Sequence, residues 1–347
     1  MKPRLAFLGT GWIGRSRMEA ILADGAGEAV ALCDPSDECA ELALAFAPEA
    51  VRTETLEGLL ELAPDGLVIA TPSAQHAAEA ITALNRGVPV FCQKPLGVSA
   101  GEVRRVVGAA RRADCLLGVD FSYRLAAAFA EAAALVRAGS LGKVHTVDLT
   151  FHNAYGPDKP WFYDRALSGG GCLMDLGVHL ADLALWLFGY PDVEVAAAAL
   201  TAGGRPATAE DVEDFALATL KLAGGTTVRL ACSWRAHAGC DAVIAAEFHG
   251  TSGGALVRNV GGSFHDFEAF RFTGTAREQI AAPPDAWGGR AAVAWARRLA
   301  GSHAYDPAAE GFITTAEAIE AIYAAGLAGI GSAESPRQAR APSRSHG

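Results

Sequence analysis

The sequence lacks a surplus of basic residues, and it lacks long apolar runs. Of 347 residues, 29 are Lys or Arg and 39 are Asp or Glu, which gives a formal net charge of −10. Nucleic acids and anionic membranes bind basic surfaces, so this balance argues against both as partners. No apolar run approaches the ~18 residues of a membrane-spanning helix, and the apolar stretch near the N-terminus is too short for a signal peptide.

Paired cysteines are also missing. The seven cysteines are scattered along the chain, and none forms a CxxC pair. This pattern argues against a disulfide framework or a structural zinc site and is typical of reduced core cysteines. It predicts a cytoplasmic protein.

Hydrophobic residues make up 51% of the chain, and its length exceeds that of a typical single core, so two domains are expected. The first third alternates short apolar runs with helical patterns, which indicates a doubly wound parallel sheet of the Rossmann type. The later part contains a series of strand-like runs joined by Gly-containing turns, which indicates an α+β domain with a mostly antiparallel sheet. We predict domains at 1–122 and 123–331, with a disordered tail at 332–347.

A glycine-rich turn follows the first predicted strand and opens a helix: Gly9-Thr10-Gly11-Trp12-Ile13-Gly14. In this context GxGxxG predicts a dinucleotide-binding turn, where the helix N-terminus faces the pyrophosphate. Asp34 ends the next predicted strand, where its carboxylate could bond both ribose hydroxyls and repel a 2′-phosphate, which favours NAD over NADP. The alternative makes Asp34 only a helix cap before Pro35.

Two further segments end predicted strands on the same sheet edge. Thr71 and Pro72, with His76, form a turn expected near the cofactor, although Ser73 there could be only a helix cap. Lys94 follows the fourth strand, where it could donate to a substrate oxygen. Pro95 restricts the backbone of Lys94 to extended conformations, which would aim the side chain. Taken alone, Lys94 could equally be a surface lysine.

A second group of polar residues lies on a predicted helix after Gly169–Gly171. Asp175 and His179 are four residues apart and face the same way, and Asp182 follows three residues later. His179 could accept a proton, and Asp175 could hold a substrate hydroxyl or raise the basicity of the imidazole. Zinc binding is an alternative, but a third ligand in a matching motif is missing, so no metal is predicted. A buried histidine bonded to Asp182 is the second alternative.

Taken together, these motifs resemble the glucose–fructose oxidoreductase, inositol dehydrogenase and rhizopine-catabolism (Gfo/Idh/MocA) family. The likeness runs from about Arg4 to Gly329 and includes the glycine turn, the Thr-Pro turn, Lys94-Pro95 and the GGG…DxGxHxxD segment in family order. The resemblance implies a Rossmann domain, an open second sheet used for oligomerisation, and NAD(P)-dependent oxidation of a sugar or polyol hydroxyl, or the reverse.

By position, the resemblance makes Lys94, Asp175 and His179 the catalytic group. It also implies that Arg124 lies near cofactor and substrate and that Trp161 lies over the pocket. Gln93 stands where the family usually has glutamate and is counted with the cofactor site; it keeps the shape and loses the charge. Arg165, Tyr163, Trp161, Trp234 and His237 are candidates for the pocket wall, where tryptophans could stack on a sugar or simply be core.

These expectations converge on an NAD(P)-dependent dehydrogenase acting on a sugar, inositol or other polyol, and forming a homodimer or homotetramer through its second sheet. Three alternatives stay open from the sequence: a keto-sugar reductase, an enzyme with tightly held NAD that catalyses a net non-redox reaction, and a sensor that binds NAD without chemistry.

Overall fold

The computed structural model of the protein describes residues 2–328, so the tail predicted at 332–347 lies outside the described residues. Within that range, six strands form a parallel sheet in the order β3-β2-β1-β4-β5-β6. Its strands are β1 (Arg4–Leu8), β2 (Glu28–Cys33), β3 (Val51–Arg52), β4 (Gly66–Ile69), β5 (Val90–Cys92) and β6 (Leu117–Val119). The strand order reverses between β1 and β4, and ligands of doubly wound sheets bind at that switch point.

Helices cover both faces of this sheet. They are α1 (Trp12–Asp24), α2 (Asp37–Leu44), α3 (Leu56–Glu61), α4 (Ser73–Asn85) and α5 (Ala100–Ala113). Helix α5 begins at Ala100 because the Ser99 hydroxyl accepts a hydrogen bond from Glu102 N at 3.2 Å. Strands β4 and β5 are buried along their whole length, as expected for parallel strands with helices on both sides.

The second sheet has nine strands within the described residues, in the order β15-β14-β13-β12-β7-β11-β10-β8-β9. β7 pairs with β11 in parallel and the other neighbours are antiparallel. The strands are β7 (Val144–Asn153), β8 (Val193–Ala202), β9 (Arg205–Pro206), β10 (Phe215–Leu222), β11 (Thr227–Ser233), β12 (Ala242–Gly250), β13 (Gly254–Asn259), β14 (Phe267–Thr273) and β15 (Ala276–Ala281).

The remaining helices connect the two sheets. They are α6 (Ala127–Arg137), α7 (Arg165–Ser168), α8 (Val178–Leu187), α9 (Arg290–Gly301) and α10 (Glu310–Ala328). Helices α6, α8 and α10 cover one face of the second sheet, and the other face stays open, with Leu217 46% exposed. Helix α9 follows the second sheet in sequence but packs on the first one, where Trp295 lies 5.7 Å from Phe91 between ring centroids. The predicted domain boundary at residue 122 therefore assigns α9 to the second domain, although α9 packs on the sheet of the first.

One segment of the described residues has the length and mean hydropathy of a membrane span, although Asp175 and Asp182 interrupt its apolar residues. This segment is Arg165–Leu187, and 83% of its most apolar window is buried inside the protein. It contains α8, which packs between the second sheet and α10. Its high apolar content fits a helix that is surrounded by protein.

Several short elements were not predicted, including β3, β15 and α3. β3 has two exposed residues, and β15 is a mostly exposed edge strand with the sequence AREQIA, so neither has apolar alternation. Helix α3 has six residues, less than two turns. Elements this short are set by their neighbours in the fold rather than by local pattern.

Candidate active site

A cavity of about 720 Å³ lies at the carboxyl edge of the first sheet, against α8 and the loops of the second sheet. Many of the residues singled out in the sequence line it. They are Gly11, Trp12, Ile13, Thr71, Pro72, His76, Gln93, Lys94, Trp161, Asp175 and His179. The site is therefore shared between the two sheets.

The glycine turn has the shape required to hold a dinucleotide phosphate. A Cβ on Gly14 would lie 2.0 Å from Gly9 O, so the helix packs on the turn only with glycine there. A Cβ on Gly11 would meet nothing within 4 Å, so the backbone is open at that point. Helix α1 begins without a side-chain cap, which leaves its first N–H groups available to an anion. These observations fit the pyrophosphate of a dinucleotide.

Asp34 ties this turn to the end of β2. One carboxylate oxygen accepts from Thr10 N at 2.6 Å, and the other accepts from Ser36 N at 2.9 Å. The N-cap of α2 is Ser36, so capping that helix is not the role of Asp34. Asp34 is only partly buried and lies outside the lining of the cavity, at the outer end of the glycine turn.

His76 braces the turns beside the cavity. Its Nδ1 lies 2.7 Å from Pro95 O and its Nε2 lies 2.7 Å from Thr71 O. The Thr71 hydroxyl is also occupied, because it donates to Glu79 Oε2 at 2.5 Å. A neutral imidazole has one N–H, so it donates to one of these carbonyls, and its other nitrogen lies beside the second. His76 lines the cavity and links the Thr71 turn to the segment that carries Lys94, and its contact with the cofactor stays a prediction.

Lys94 and Asp175 form the central ion pair. Lys94 Nζ donates to Asp175 Oδ1 at 2.5 Å and to Asp175 O at 2.9 Å, and both side chains are mostly buried. The second carboxylate oxygen accepts from Trp234 Nε1 at 2.9 Å. An ammonium group has three N–H donors, so one remains for a ligand in the cavity. The question of whether Lys94 is a surface lysine is answered, since its charge is paired inside the cavity.

The backbone around Asp175 departs from regular α-helix. Residues Leu173–Gly177 form a π-helical turn directly before α8. Such turns often occur at functional sites. Here the turn presents the backbone carbonyl of Asp175 to Lys94 alongside the carboxylate.

Glu213 anchors the start of that turn. Its carboxylate accepts from Gly171 N at 2.9 Å, from Leu173 N at 3.0 Å and from the Tyr323 hydroxyl at 2.7 Å. A Cβ on Gly171 would lie 1.9 Å from Glu213 O, so this close approach requires glycine. Burial raises the pKa of Glu213.

His179 lies one turn beyond Asp175 with its ring against aromatic side chains. Tyr123 contacts it edge-on, with ring centroids 5.0 Å apart. Burial, together with the positive charges of Lys94 and Arg17, holds the pKa of His179 well below its usual value. Its Nδ1 has no hydrogen-bond partner among the described residues. His179 is therefore a neutral imidazole at neutral pH, and it can accept a proton.

Gln93 belongs to a buried polar network that the sequence did not predict. Its side-chain amide donates to Asp120 Oδ2, the same oxygen that accepts from Arg17 Nε at 2.5 Å. The Ser122 hydroxyl donates to Asp120 Oδ1, and Arg17 Nη2 reaches Ser122 Oγ at 3.2 Å. Asp120 therefore supplies the carboxylate of this network, and Gln93 supplies a neutral donor.

Two predicted site residues point elsewhere. Arg124 does not line the cavity, because its guanidinium donates to Asp182 at 2.7 Å and to the Tyr190 hydroxyl at 2.6 Å. The Asp182 carboxylate is therefore bonded to Arg124, and no hydrogen bond joins it to His179 among the described residues. Arg165 lines a separate cavity of about 170 Å³ and donates to Asp211 O at 3.0 Å.

The alternative metal site has no support in residues 2–328, where no cluster of three or more possible His, Cys, Asp or Glu ligands occurs.

The cavity also has lining residues that were not predicted from the sequence, namely Arg17, Asp120, Ser122 and Tyr123. Burial raises the pKa of Tyr123 well above its usual value, so its hydroxyl stays protonated. Pocket wall and core were both open for Trp234, and it is a core residue bonded to Asp175.

Comparisons with known proteins agree with this architecture. Residues 4–121 match the model of an oxidoreductase family with an NAD-binding Rossmann fold, and residues 129–256 match the GFO/IDH/MocA C-terminal domain. The chain is 30% identical to inositol 2-dehydrogenase 4 of Saccharopolyspora erythraea, over 84% of this chain and 90% of that protein.

Two more comparisons, one of sequence and one of structure, show similar likeness. The rhizopine catabolism protein MocA of Rhizobium meliloti is 32% identical over 54% of this chain, and that alignment spans only 57% of MocA. The crystal structure of GenD2 from gentamicin A biosynthesis, in complex with NAD, superposes with a TM-score of 0.77 at 25% identity. That superposition covers 94% of this chain and 95% of GenD2.

Proposed function

The chain belongs to the GFO/IDH/MocA family of NAD-binding oxidoreductases, and from this premise we propose that it transfers hydride between a secondary hydroxyl of a sugar or polyol and NAD. The observation that carries the proposal is the Lys94–Asp175 ion pair, which keeps one ammonium N–H available beside a neutral His179. A protein that only sensed NAD would need neither a proton acceptor nor a polarising cation in the cavity.

The glycine turn and the start of α1 would hold the pyrophosphate, and Thr71, Pro72 and Gln93 would flank the nicotinamide end. When bound, the nicotinamide ring supplies the hydride acceptor for oxidation and the hydride donor for reduction. Trp161, from the loop after β7, would cover the substrate, since it lines the cavity and its ring stacks on Phe162 with centroids 3.8 Å apart.

His179 and Lys94 divide the proton and charge chemistry between them. His179 accepts the proton of the substrate hydroxyl, because it is neutral and its ring has no competing protein donor among residues 2–328. Lys94 donates its remaining N–H to the same oxygen and stabilises the negative charge that develops there. Asp175 accepts two hydrogen bonds already, so it holds Lys94 in place and does not act as the base.

We propose NAD over NADP as the preferred cofactor. The support is Asp34, whose carboxylate lies at the end of β2 beside the glycine turn. A 2′-phosphate in that position would meet a like charge. Arg52 is nearby and exposed, but its guanidinium is paired with Asp37 at 2.6 Å.

We also propose that the enzyme is a cytoplasmic homodimer or homotetramer. Seven unpaired cysteines support a reducing compartment. The open face of the nine-stranded sheet, with Leu217 at its surface, supports self-association. Light scattering of Leu217→Asp tests this surface: a smaller particle than the wild type is expected, and an unchanged mass would exclude it.

A substrate panel tests the proposed activity. Inositols, aldoses, sugar acids and keto-sugars are each offered with NAD⁺, NADP⁺ and their reduced forms while nicotinamide absorbance is followed. Turnover that Lys94→Ala lacks, and that a control with the exposed Lys143→Ala retains, is the expected result. Turnover only with reduced cofactor would identify a keto-sugar reductase. No turnover, with nucleotide retained through purification, would favour the non-redox alternative.

A further inference from the structure

Trp234 holds the Asp175 carboxylate from the side opposite Lys94. It follows β11 and is only 1% exposed, and its indole N–H donates to Asp175 Oδ2 at 2.9 Å. Lys94 reaches Oδ1 from the first sheet, while Trp234 reaches Oδ2 from the second. With a donor on each oxygen, the carboxylate has one orientation. With Lys94 alone, it could rotate about its terminal bond and move the ammonium with it.

The same indole supports the aromatic loop over the cavity. The ring of Phe162 meets Trp234 edge-on, with centroids 6.2 Å apart, and the ring of Tyr163 does so at 5.6 Å. Phe162 in turn stacks on Trp161, and both of these line the cavity. One buried side chain therefore contacts both the ion pair and the loop that covers the ligand.

We propose that Trp234 is a positioning residue for the hydride transfer. It orients Asp175 so that the free N–H of Lys94 points into the cavity, and it ties that orientation to the position of the loop carrying Trp161 and Phe162. The inference rests on the proposed function, because the aim of Lys94 matters for turnover only if Lys94 polarises the substrate oxygen.

Trp234→Phe keeps an aromatic ring and removes the N–H donor. We expect a fall in kcat of about 10- to 100-fold, because displacing a catalytic group by even 1 Å can cost about 10²-fold. KM for the substrate should change less than kcat, and affinity for NADH should stay as in the wild type. A Trp234→His variant, whose ring can still donate, should recover part of the lost kcat.

Trp295→Phe is the matched control. Trp295 is also a buried indole, 5% exposed, but its N–H has no partner among the described residues. It packs on the first sheet near Phe91, away from the cavity. This variant removes the same atoms without removing a hydrogen bond, so kcat should stay close to the wild-type value.

Crystal structures of the two variants make the test independent of turnover. Rotation of the Asp175 carboxylate in Trp234→Phe, and none in Trp295→Phe, is expected. An unmoved carboxylate in Trp234→Phe would overturn the proposal, as would a rise in KM with kcat unchanged, which would make Trp234 part of the pocket wall only. If the wild type turns over none of the panel, the proposed function fails, while the carboxylate position still decides whether Trp234 orients Asp175.

Discussion

Replacing Gln93 with glutamate should destabilise the protein in a way that depends on pH. Gln93 donates to an Asp120 oxygen that also accepts from Arg17, and the Asp120 side chain is fully buried. Gln93→Glu removes a donor and places a second carboxylate against the first, with Arg17 as the one cation bonded to Asp120 among the described residues. A buried like-charge pair of this kind either repels or takes up a proton.

The loss of stability can be bounded from these two outcomes, charge repulsion and proton uptake. Two unit charges about 4 Å apart repel by about 4 kcal/mol at an effective dielectric constant of about 20. Proton uptake limits this cost, since each unit by which a pKa is raised costs about 1.4 kcal/mol at high pH. We therefore expect a loss of about 2–4 kcal/mol in the free energy of unfolding at pH 8. In a chain of this length that lowers Tm by about 3–6 °C.

The sign of the pH dependence is fixed by the direction of the shift. The new carboxylate has a higher pKa in the folded state than in the unfolded state, so the folded state holds the extra proton between those two values. The loss relative to wild type is then small below the unfolded value of about 4.3, grows as pH rises through the window, and becomes constant above it. The difference in Tm should be clearly smaller at pH 5 than at pH 8.

A double-mutant cycle makes this test specific. Asp120→Asn alone leaves Arg17 buried without its carboxylate, which should cost about 3–5 kcal/mol. The double variant Gln93→Glu, Asp120→Asn restores one carboxylate and one amide beside Arg17, so it should be more stable than Asp120→Asn. Scanning calorimetry at pH 5, 6.5 and 8 measures all four proteins. Additive losses in the double variant, or equal losses at pH 5 and pH 8, would refute the charge argument.

Two further predictions concern the proposed catalysis. Because the pKa of His179 is held well below its usual value, kcat/KM for oxidation should not decline as pH falls through 6.5, and the decline should begin only at lower pH. Replacing the base in His179→Ala should lower kcat by about 10²- to 10⁴-fold. The control variant His303→Ala, at an exposed histidine, should keep the wild-type kcat. Asp34→Asn should raise the preference for NADP over NAD about tenfold in kcat/KM, equal to about 1.4 kcal/mol; an unchanged preference would show that this carboxylate does not select the cofactor.

The sequence could predict those parts of the fold and site that depend on residues close together in the chain. The parallel sheet follows from apolar runs alternating with helical patterns, and the glycine turn and the Lys94-Pro95 dipeptide are local motifs. Asp175 and His179 were found together because they lie four residues apart, and one turn of helix brings them to the same side.

The missed contacts join distant positions. Arg17 and Asp120 are 103 residues apart, and Asp175 and Trp234 are 59 residues apart, so only the folded chain brings them together. Arg124 was expected at the cofactor, but Asp182 competes for its guanidinium, and a buried arginine needs such a partner. A motif states which residue types occur at a site, but it does not state which of several polar neighbours each side chain bonds.

The π-helical turn at Leu173–Gly177 makes the site sensitive to the number of residues as well as to their identity. Each residue of an α-helix advances the chain by about 100°. Deleting one residue between Asp175 and His179 would convert the wide turn to regular helix and rotate His179, with all of α8, relative to the ion pair. Related sequences should therefore differ in side-chain identity along this segment more often than in the number of its residues. A relative with an insertion or deletion there should catalyse a different reaction.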